Sequence, residues 1–148
     1  MIRQAGAADE AAIRSIAEAA YAPYVPLIGR KPAPMQADFA AQIAAGQMHV
    51  AMDGAGALLG FITFYPRDGH MLLESVAVLP QMAGRGIGKA LIAHCEAAAR
   101  AQGLAEVQLY TNAKMTGNLA LYPKLGYRET GRRREDGFER VYFVKPLD

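Results

Sequence analysis

The stretch LESVAVLPQMAGRGIGKALI, residues 73–92, joins an apolar run to a glycine-rich turn and then to a helical pattern. The run is apolar on both faces, which predicts a strand in the middle of a sheet. Gly84, Gly86 and Gly88 follow it, and glycine exposes backbone N–H groups that no side chain obstructs. Such groups at the start of a helix bind anions, because they add to the positive end of the helix dipole. The stretch therefore predicts a site for a phosphate or pyrophosphate.

Two nucleotide-binding motifs with similar glycines do not fit this turn. A Walker A loop ending at Gly88 and Lys89 requires a glycine and a hydroxyl residue at two positions that are both alanine here. A dinucleotide-binding motif starting at Gly84 requires a glycine at the position of Lys89, and it also requires an earlier βαβ unit. A plain strand–helix turn with solvated Arg85 and Lys89 remains the structural alternative at this point.

The rest of the chain supplies alternating strand and helix patterns. Strands are predicted at residues 1–5, 47–53, 57–66, 70–80, 105–111, 127–136 and 137–147, and helices at residues 7–21, 36–46, 87–102 and 115–127. The proline-rich stretch 21–35 predicts an irregular loop, because proline forbids a long helix. The order β-α-α-β-β-β-α-β-α-β-β describes an α+β fold with one mixed sheet.

Two of these helices carry more specific expectations. In the helix after the glycines, an apolar face is predicted at Ile87, Leu91, Cys95 and Ala98, with a polar face opposite at Lys89, Glu96 and Arg100. In the last helix, Pro123 follows Tyr122, so a kink is expected beside that tyrosine.

Composition limits the class of protein. A chain of 148 residues with 52% hydrophobic residues predicts one globular domain spanning residues 1–148. The formal net charge of +2 gives no reason to expect a nucleic acid partner. No apolar run resembles a signal peptide or a membrane span, and the single cysteine forms no internal disulfide. A cytoplasmic protein without a membrane partner or a metal is expected.

Taken together, residues 73–92 resemble the acetyl-CoA-binding signature of the GNAT superfamily of N-acetyltransferases. The shared pattern is an apolar strand ending in V-x-P, then [QR]-x-x-G-x-[GA], then an apolar helix. Gly86 and Gly88 match fixed positions of the family, whereas Ala83 stands where Gln or Arg is usual. A second stretch, NLALYPKLGY at residues 118–127, is similar to the family's C-terminal motif. The resemblance implies a mostly antiparallel sheet flanked by about four helices, and the family often forms homodimers.

The resemblance also implies a reaction and roles for individual residues. The chain would transfer an acetyl group from acetyl-CoA to a primary amine of a small molecule or peptide, without a metal. Tyr122 would be the general acid that protonates the departing thiolate, and Glu74 would be the general base that deprotonates the amine. Coenzyme contacts are implied for Val76, Ala77, Val78, Ala83, Gly84, Arg85, Gly86, Ile87, Gly88, Lys89, Asn112, Asn118 and Tyr122.

Alternatives stay open for these residues. Asn118 and Tyr122 share one face of the predicted helix, and the tyrosine would otherwise cap the edge of the core. Glu74 is predicted to share a strand face with Leu72, Val76 and Val78, and would otherwise be a structural carboxylate. The loop 21–35 corresponds to the family's variable wall over the acceptor, so an acceptor site is expected at Tyr21, Tyr24, Arg30 and Glu74. A non-catalytic acyl-CoA sensor on the same fold is the rival function.

Overall fold

The protein forms one seven-stranded sheet in the order β1-β2-β3-β4-β5-β7-β6. The structure is a computed structural model and describes residues 1–148. The strands are β1 (Ile2–Gln4), β2 (Met48–Met52), β3 (Leu58–Arg67), β4 (His70–Val78), β5 (Glu106–Asn112), β6 (Arg128–Glu135) and β7 (Phe138–Pro146). All neighbours are antiparallel except β4 and β5. The predicted α+β class with a mostly antiparallel sheet is confirmed, and β4 is its central strand.

Helices connect and cover the sheet. They are α1 (Glu10–Tyr21), α2 (Val25–Ile28), α3 (Phe39–Ala44), α4 (Ile87–Ala101) and α5 (Thr116–Lys124). The proline-rich stretch is more regular than predicted, because α2 and short 3-10 turns occupy it, with prolines at their first positions. Pro123 does not kink a continuing helix, since α5 ends one residue later.

The core consists of two apolar clusters on opposite faces of the sheet. Ile62 of β3 packs in the cluster that contains α4, whereas its neighbour Phe61 packs in the cluster that contains α1 and α3. Successive strand residues point to opposite faces, so α4 lies on one side and α1 with α3 on the other. This layering holds the central strand β4 between two cores.

Glu96 of α4 is buried, contrary to its predicted place on the polar face. Its carboxylate accepts hydrogen bonds from the Tyr127 phenol at 2.8 Å and from the Lys145 ammonium at 2.9 Å. A buried carboxylate is stable only with such partners. Both partners come from the C-terminal part of the chain, which therefore packs against α4 at Glu96.

β4 and β5 pair only over residues 71–73 and 107–109. Beyond these residues β4 continues to Val78 and β5 to Asn112 without pairing to each other. The two strands therefore diverge and leave a gap in the middle of the sheet.

No helix of the chain has the length and hydropathy needed to cross a bilayer.

Candidate active site

A cavity of about 290 Å³ opens at the gap between β4 and β5. This central cavity is lined by Tyr21, Pro32, Ala33, Pro34, Ala37, Gln42, Leu73, Glu74, Ser75, Val76, Tyr110, Thr111, Asn112, Met115, Asn118, Tyr122, Phe138 and Arg140. Its walls come from both faces of the sheet, because α1 and the proline-rich stretch contribute on one side and α5 on the other. Glu74 and Tyr122, which are far apart in sequence, line this same cavity.

Glu74 lies at an irregularity of β4. Thr63 pairs with Ser75 and Phe64 pairs with Leu73, so Glu74 has no register partner on β3. Such a bulge bends the strand and redirects the side chain of the extra residue. Bulges are common beside active sites for this reason.

The Glu74 carboxylate is fixed by two donors. Oε1 accepts a hydrogen bond of 2.9 Å from the Tyr65 phenol, and Oε2 accepts one from the Gln42 side-chain amide on α3. Burial, followed by the hydrogen bond to Glu74, raises the pKa of the Tyr65 phenol to about 12, so this donor stays protonated. Glu74 is half-buried and reaches the central cavity.

The prediction that Glu74 shares a strand face with Val76 and Val78 is wrong. Val76 and Val78 pack against the α4 cluster, whereas Glu74 bonds to α3 on the other side of the sheet. The bulge accounts for the difference, because one extra residue reverses the alternation of faces along β4.

Tyr122 is buried at the opposite wall, where its ring packs edge-on against Tyr127 and tilted against Phe143. Burial and then the nearby Cys95 sulfur raise the pKa of its phenol well above the usual value. The group is therefore protonated at neutral pH. No hydrogen bond within the protein contributes to this shift, so the proton remains available to a ligand in the cavity.

The backbone of β4 presents polar groups to the gap. Leu79 N–H donates to the Leu59 carbonyl of β3 at 2.9 Å. Ladder bonds alternate along an antiparallel pair, so Val76 and Val78 direct their backbone groups away from β3. Consistent with this, the Val76 carbonyl accepts a hydrogen bond of 3.0 Å from the Tyr21 phenol. Burial raises the pKa of that phenol well above its usual value.

The glycine loop, residues 83–89, follows the end of β4 and leads into α4. Gly84 and Gly86 both have φ of +80°, and a Cβ added at either position would meet nothing within 4 Å. The amides of residues 84–89 donate to no backbone carbonyl, and the first of this region to do so is Ala90, which donates to Gly86. These amides lie at the N-terminus of α4 and are available as donors to an anion.

The other predicted site residues separate into two groups. Asn118 lines the central cavity and donates a hydrogen bond of 3.2 Å to the Thr111 hydroxyl, and Asn112 lines the cavity beside it. Ala77 and Val78 lie along β4, outside the lining of the cavity.

Tyr24 and Arg30 do not line the central cavity either. Arg30 donates a hydrogen bond to the Asp136 carbonyl, and its guanidinium lies 3.7 Å from the centre of the Phe138 ring. Arg30 thus ties the proline-rich stretch to the turn between β6 and β7, and its guanidinium is engaged there rather than at the acceptor side.

Sequence patterns missed three residues of the site. Gln42 and Tyr65 hold Glu74, and Arg140 lines the wall beside Tyr110. The alternation of β7 could have placed Arg140 on one face with Phe138 and Tyr142. Nothing in the sequence marks Gln42, because its partner is 32 residues away across the sheet.

The fold and the site together define a class of protein. The model of the Acetyltransferase (GNAT) family matches residues 13–127, which is more than half of the chain. The chain belongs to this family. No three His, Cys, Asp or Glu residues of the chain are grouped so that they could hold a metal ion.

Among curated proteins, the chain is similar to mycothiol acetyltransferases. The protein from Salinispora tropica is 42% identical over 84 residues, which cover 53% of this chain and 27% of that protein. That from Clavibacter michiganensis is 36% identical over 80 residues, covering 54% of this chain and 26% of its own length. The chain thus matches only about a quarter of the length of these relatives.

Solved structures share the fold over nearly the full chain. The PaiA N-acetyltransferase from Thermoplasma acidophilum, in complex with coenzyme A, has a TM-score of 0.83 at 18% identity, over 99% of this chain and 98% of that one. The ribosomal-protein-S18-alanine N-acetyltransferase from Escherichia coli has a TM-score of 0.79 at 22% identity, over 99% of this chain and 93% of that one. At this identity the likeness concerns the fold.

Proposed function

We propose that the protein is an N-acetyltransferase that uses acetyl-CoA as acyl donor and a primary amine as acceptor. One observation carries the proposal: a single cavity, at the gap between β4 and β5, is lined by both Glu74 and Tyr122. One residue is a carboxylate and the other a protonated phenol, so a base and an acid border the same space. Family membership and the coenzyme A complex of the Thermoplasma relative support the choice of donor.

The residues present fit coenzyme A. Its pyrophosphate needs several hydrogen-bond donors in a concave arrangement, and the unpaired amides of residues 84–89 supply them. Open space at Gly84 and Gly86 lets a phosphate approach the backbone closely. The pantetheine arm carries amide groups, which match the backbone of Val76 and Val78, directed away from β3, and the Asn118 side chain in the cavity wall.

The acid and the base divide the proton transfers of the reaction. Glu74 takes a proton from the ammonium of the acceptor, directly or through a water. The amine nitrogen then attacks the thioester carbonyl carbon, so that a C–N bond forms, the C–S bond breaks and the nitrogen gives up its second proton to solvent. Glu74 releases its own proton to solvent before the next turnover. The backbone amide near Val78 donates to the carbonyl oxygen as negative charge develops there. Tyr122 gives its proton to the departing sulfur and regains one from solvent.

Coenzyme binding and turnover test the two parts of this proposal separately. Isothermal titration of the protein with acetyl-CoA is expected to show saturable binding, and no binding at high micromolar concentration contradicts it. Thiol release from acetyl-CoA is then followed with a panel of amino acids, polyamines, peptides and aminoglycosides. Tight coenzyme binding without a product from any amine would instead favour a non-catalytic sensor.

A further inference from the structure

We infer that Arg140 selects the acceptor by binding an anionic group on it, so that the substrate is a small amine that also carries a carboxylate or phosphate. The inference deepens the proposed N-acetyltransferase function and rests on it. It is carried by an almost buried guanidinium in the wall of the central cavity, which has hydrogen-bond donors that no protein group uses.

Arg140 is held in place without being satisfied. Its side chain is 12% exposed, and the guanidinium lies 4.5 Å from the centre of the Tyr110 ring and 5.8 Å from that of Phe138. These aromatic faces orient the group and keep it dry on two sides. Tyr110 and Phe138 also line the cavity, so the guanidinium borders the space where a ligand binds.

The ion pairs of Arg140 are loose. Nη1 lies 3.9 Å from the Glu135 carboxylate and 3.7 Å from that of Asp136, beyond hydrogen-bond distance. The Glu135 oxygen concerned is buried and has no hydrogen-bond partner. These are its closest approaches to a carboxylate, and the guanidinium donates no hydrogen bond to a protein group. The Nε and Nη2 edge of the planar fork matches a carboxylate or phosphate in bidentate geometry.

Glu74 and Arg140 border the central cavity from the strands on either side of β5. Leu73 is the last residue of β4 that pairs with β5, so Glu74 lies where the two strands begin to diverge. Arg140 pairs with Asn112 of β5 and its guanidinium stacks on Tyr110, so it lies on the far side of this gap. An acceptor held by both residues must fit within the cavity that they share.

The charges also distinguish the two ends of such an acceptor. Glu74 attracts the ammonium that must lose a proton, and Arg140 attracts the anion at the other end. The cavity of about 290 Å³ also takes the thioester end of the coenzyme in the proposed reaction, so the space left for the acceptor suits a molecule of amino-acid size. Arg30, by contrast, is engaged with Asp136 and Phe138 and does not provide this contact.

Matched acceptors test the inference. Thiol release is measured at saturating acetyl-CoA with L-amino acids, with their carboxamides of nearly equal size, and with aminoalkylphosphonates. The wild-type protein is expected to prefer the anionic member of each pair by about 10–100-fold in kcat/KM, because a hydrogen bond to a charged group is stronger than one to a neutral group. Relative rates of carboxylates and phosphonates identify which anion the site takes.

Variants then assign the preference to Arg140. Arg140→Gln is expected to abolish it through a higher KM for the anionic amines, and Arg140→Lys to restore it in part. Arg133→Gln is the matched control, because Arg133 pairs with Arg140 in the sheet and also stacks on a tyrosine, Tyr142, but does not line the cavity. This control should keep the full preference. A merely structural role for Arg140 would lower thermal stability and leave the preference unchanged.

The outcomes separate this inference from the proposed function. Turnover of amines without a preference for anionic ones, or a preference that survives in Arg140→Gln, overturns the role of Arg140 and leaves the acetyltransferase standing. No turnover of any amine, charged or neutral, overturns the acetyltransferase and the inference with it.

Discussion

The Tyr65 phenol donates a hydrogen bond of 2.9 Å to the Glu74 carboxylate, at the residue where β4 loses its register with β3. The bulge turns Glu74 away from the face of Val76, and the phenol fixes it at the central cavity. With the Gln42 amide as second donor, the carboxylate has a defined position before any ligand binds. Proton transfer from a bound ammonium requires a preorganised acceptor of this kind.

Replacing Glu74 by Gln removes the proposed base with little change of shape. Because general base catalysis contributes about 10²–10⁴-fold, kcat/KM for an active amine should fall about 100-fold at pH 7. Steady-state thiol release measures the effect. Glu18→Gln, which removes the same charge from an exposed position of α1, serves as the control. Equal rates for the Glu74 and Glu18 variants would show that Glu74 is not the base.

Replacing Tyr122 by Phe removes only the phenol oxygen. As no protein hydrogen bond contributes to the shifted pKa of this phenol, the thermal midpoint should stay close to that of the wild type. Loss of a general acid should nevertheless lower kcat by about 100-fold. Thiol release and differential scanning calorimetry on the same preparation check both parts. Unchanged kcat would remove the tyrosine from the reaction.

Gly86→Ala tests the glycine loop. Gly86 has φ of +80°, and an added Cβ would enter open space where the phosphate is proposed to bind. We expect the affinity for coenzyme A to fall at least about tenfold, along with a backbone cost of about 1 kcal/mol for the left-handed conformation. Calorimetric titration and urea unfolding measure the two effects.

Gly69→Ala provides the matched control for this substitution. Gly69 has φ of +86° and equally open surroundings, but it lies in the turn between β3 and β4. Its stability cost should be similar and its coenzyme affinity unchanged. If both variants lost affinity equally, backbone strain rather than the loop would be responsible.

The buried carboxylate of Glu96 should matter for stability. Glu96→Ala leaves the Tyr127 phenol without its acceptor and the Lys145 ammonium, 24% exposed, without its counter-charge. We expect a loss of about 3 kcal/mol in the free energy of unfolding, measured in urea. Glu129→Ala breaks an exposed pair with Arg132 and should cost less than about 1 kcal/mol. Similar losses for both would contradict the buried network.

Asp9 should make stability depend on pH. The hydrogen bond from Arg3, supported by that from the Gly6 amide, lowers the pKa of Asp9 in the folded protein. Its stabilising contribution is therefore complete above the unfolded pKa of about 3.9 and is lost as pH falls through the lower folded value. Asp9→Asn should be less stable than wild type at pH 7, and the two should converge in acid. The exposed Asp68→Asn should show a smaller difference, and a gap for Asp9→Asn that widened in acid would contradict this sign.

Local patterns predicted the elements of the fold, because alternation and helical spacing are set by near neighbours. The strand patterns, the glycine loop and the central β4 followed from such spacing. The helical pattern put Glu96 on the polar face, because its partner Lys145 is 49 residues away and periodicity does not indicate a contact across that separation. The face of Glu74 was misplaced because a bulge depends on the partner strand as well as on its own sequence.

The site was predictable where backbone chemistry decides it and less so where side chains converge. Glycines and a helix start identify an anion site on their own. Arg140 can be recognised as a site residue only from the structure, where the pairing of β5 and β7 brings its guanidinium over Tyr110. The sequence predicted Arg30 at the acceptor site, but its contacts with Phe138 and the Asp136 carbonyl engage it elsewhere.

The most direct test of the account is amine-dependent thiol release from acetyl-CoA, with the acetylated amine identified by mass spectrometry. The account predicts that free thiol and N-acetylated product appear in equal amounts with the wild-type protein. It also predicts that both fall together in the Tyr122→Phe and Glu74→Gln variants. Thiol release without acetylated amine, or no release with any amine despite saturable coenzyme binding, would contradict it.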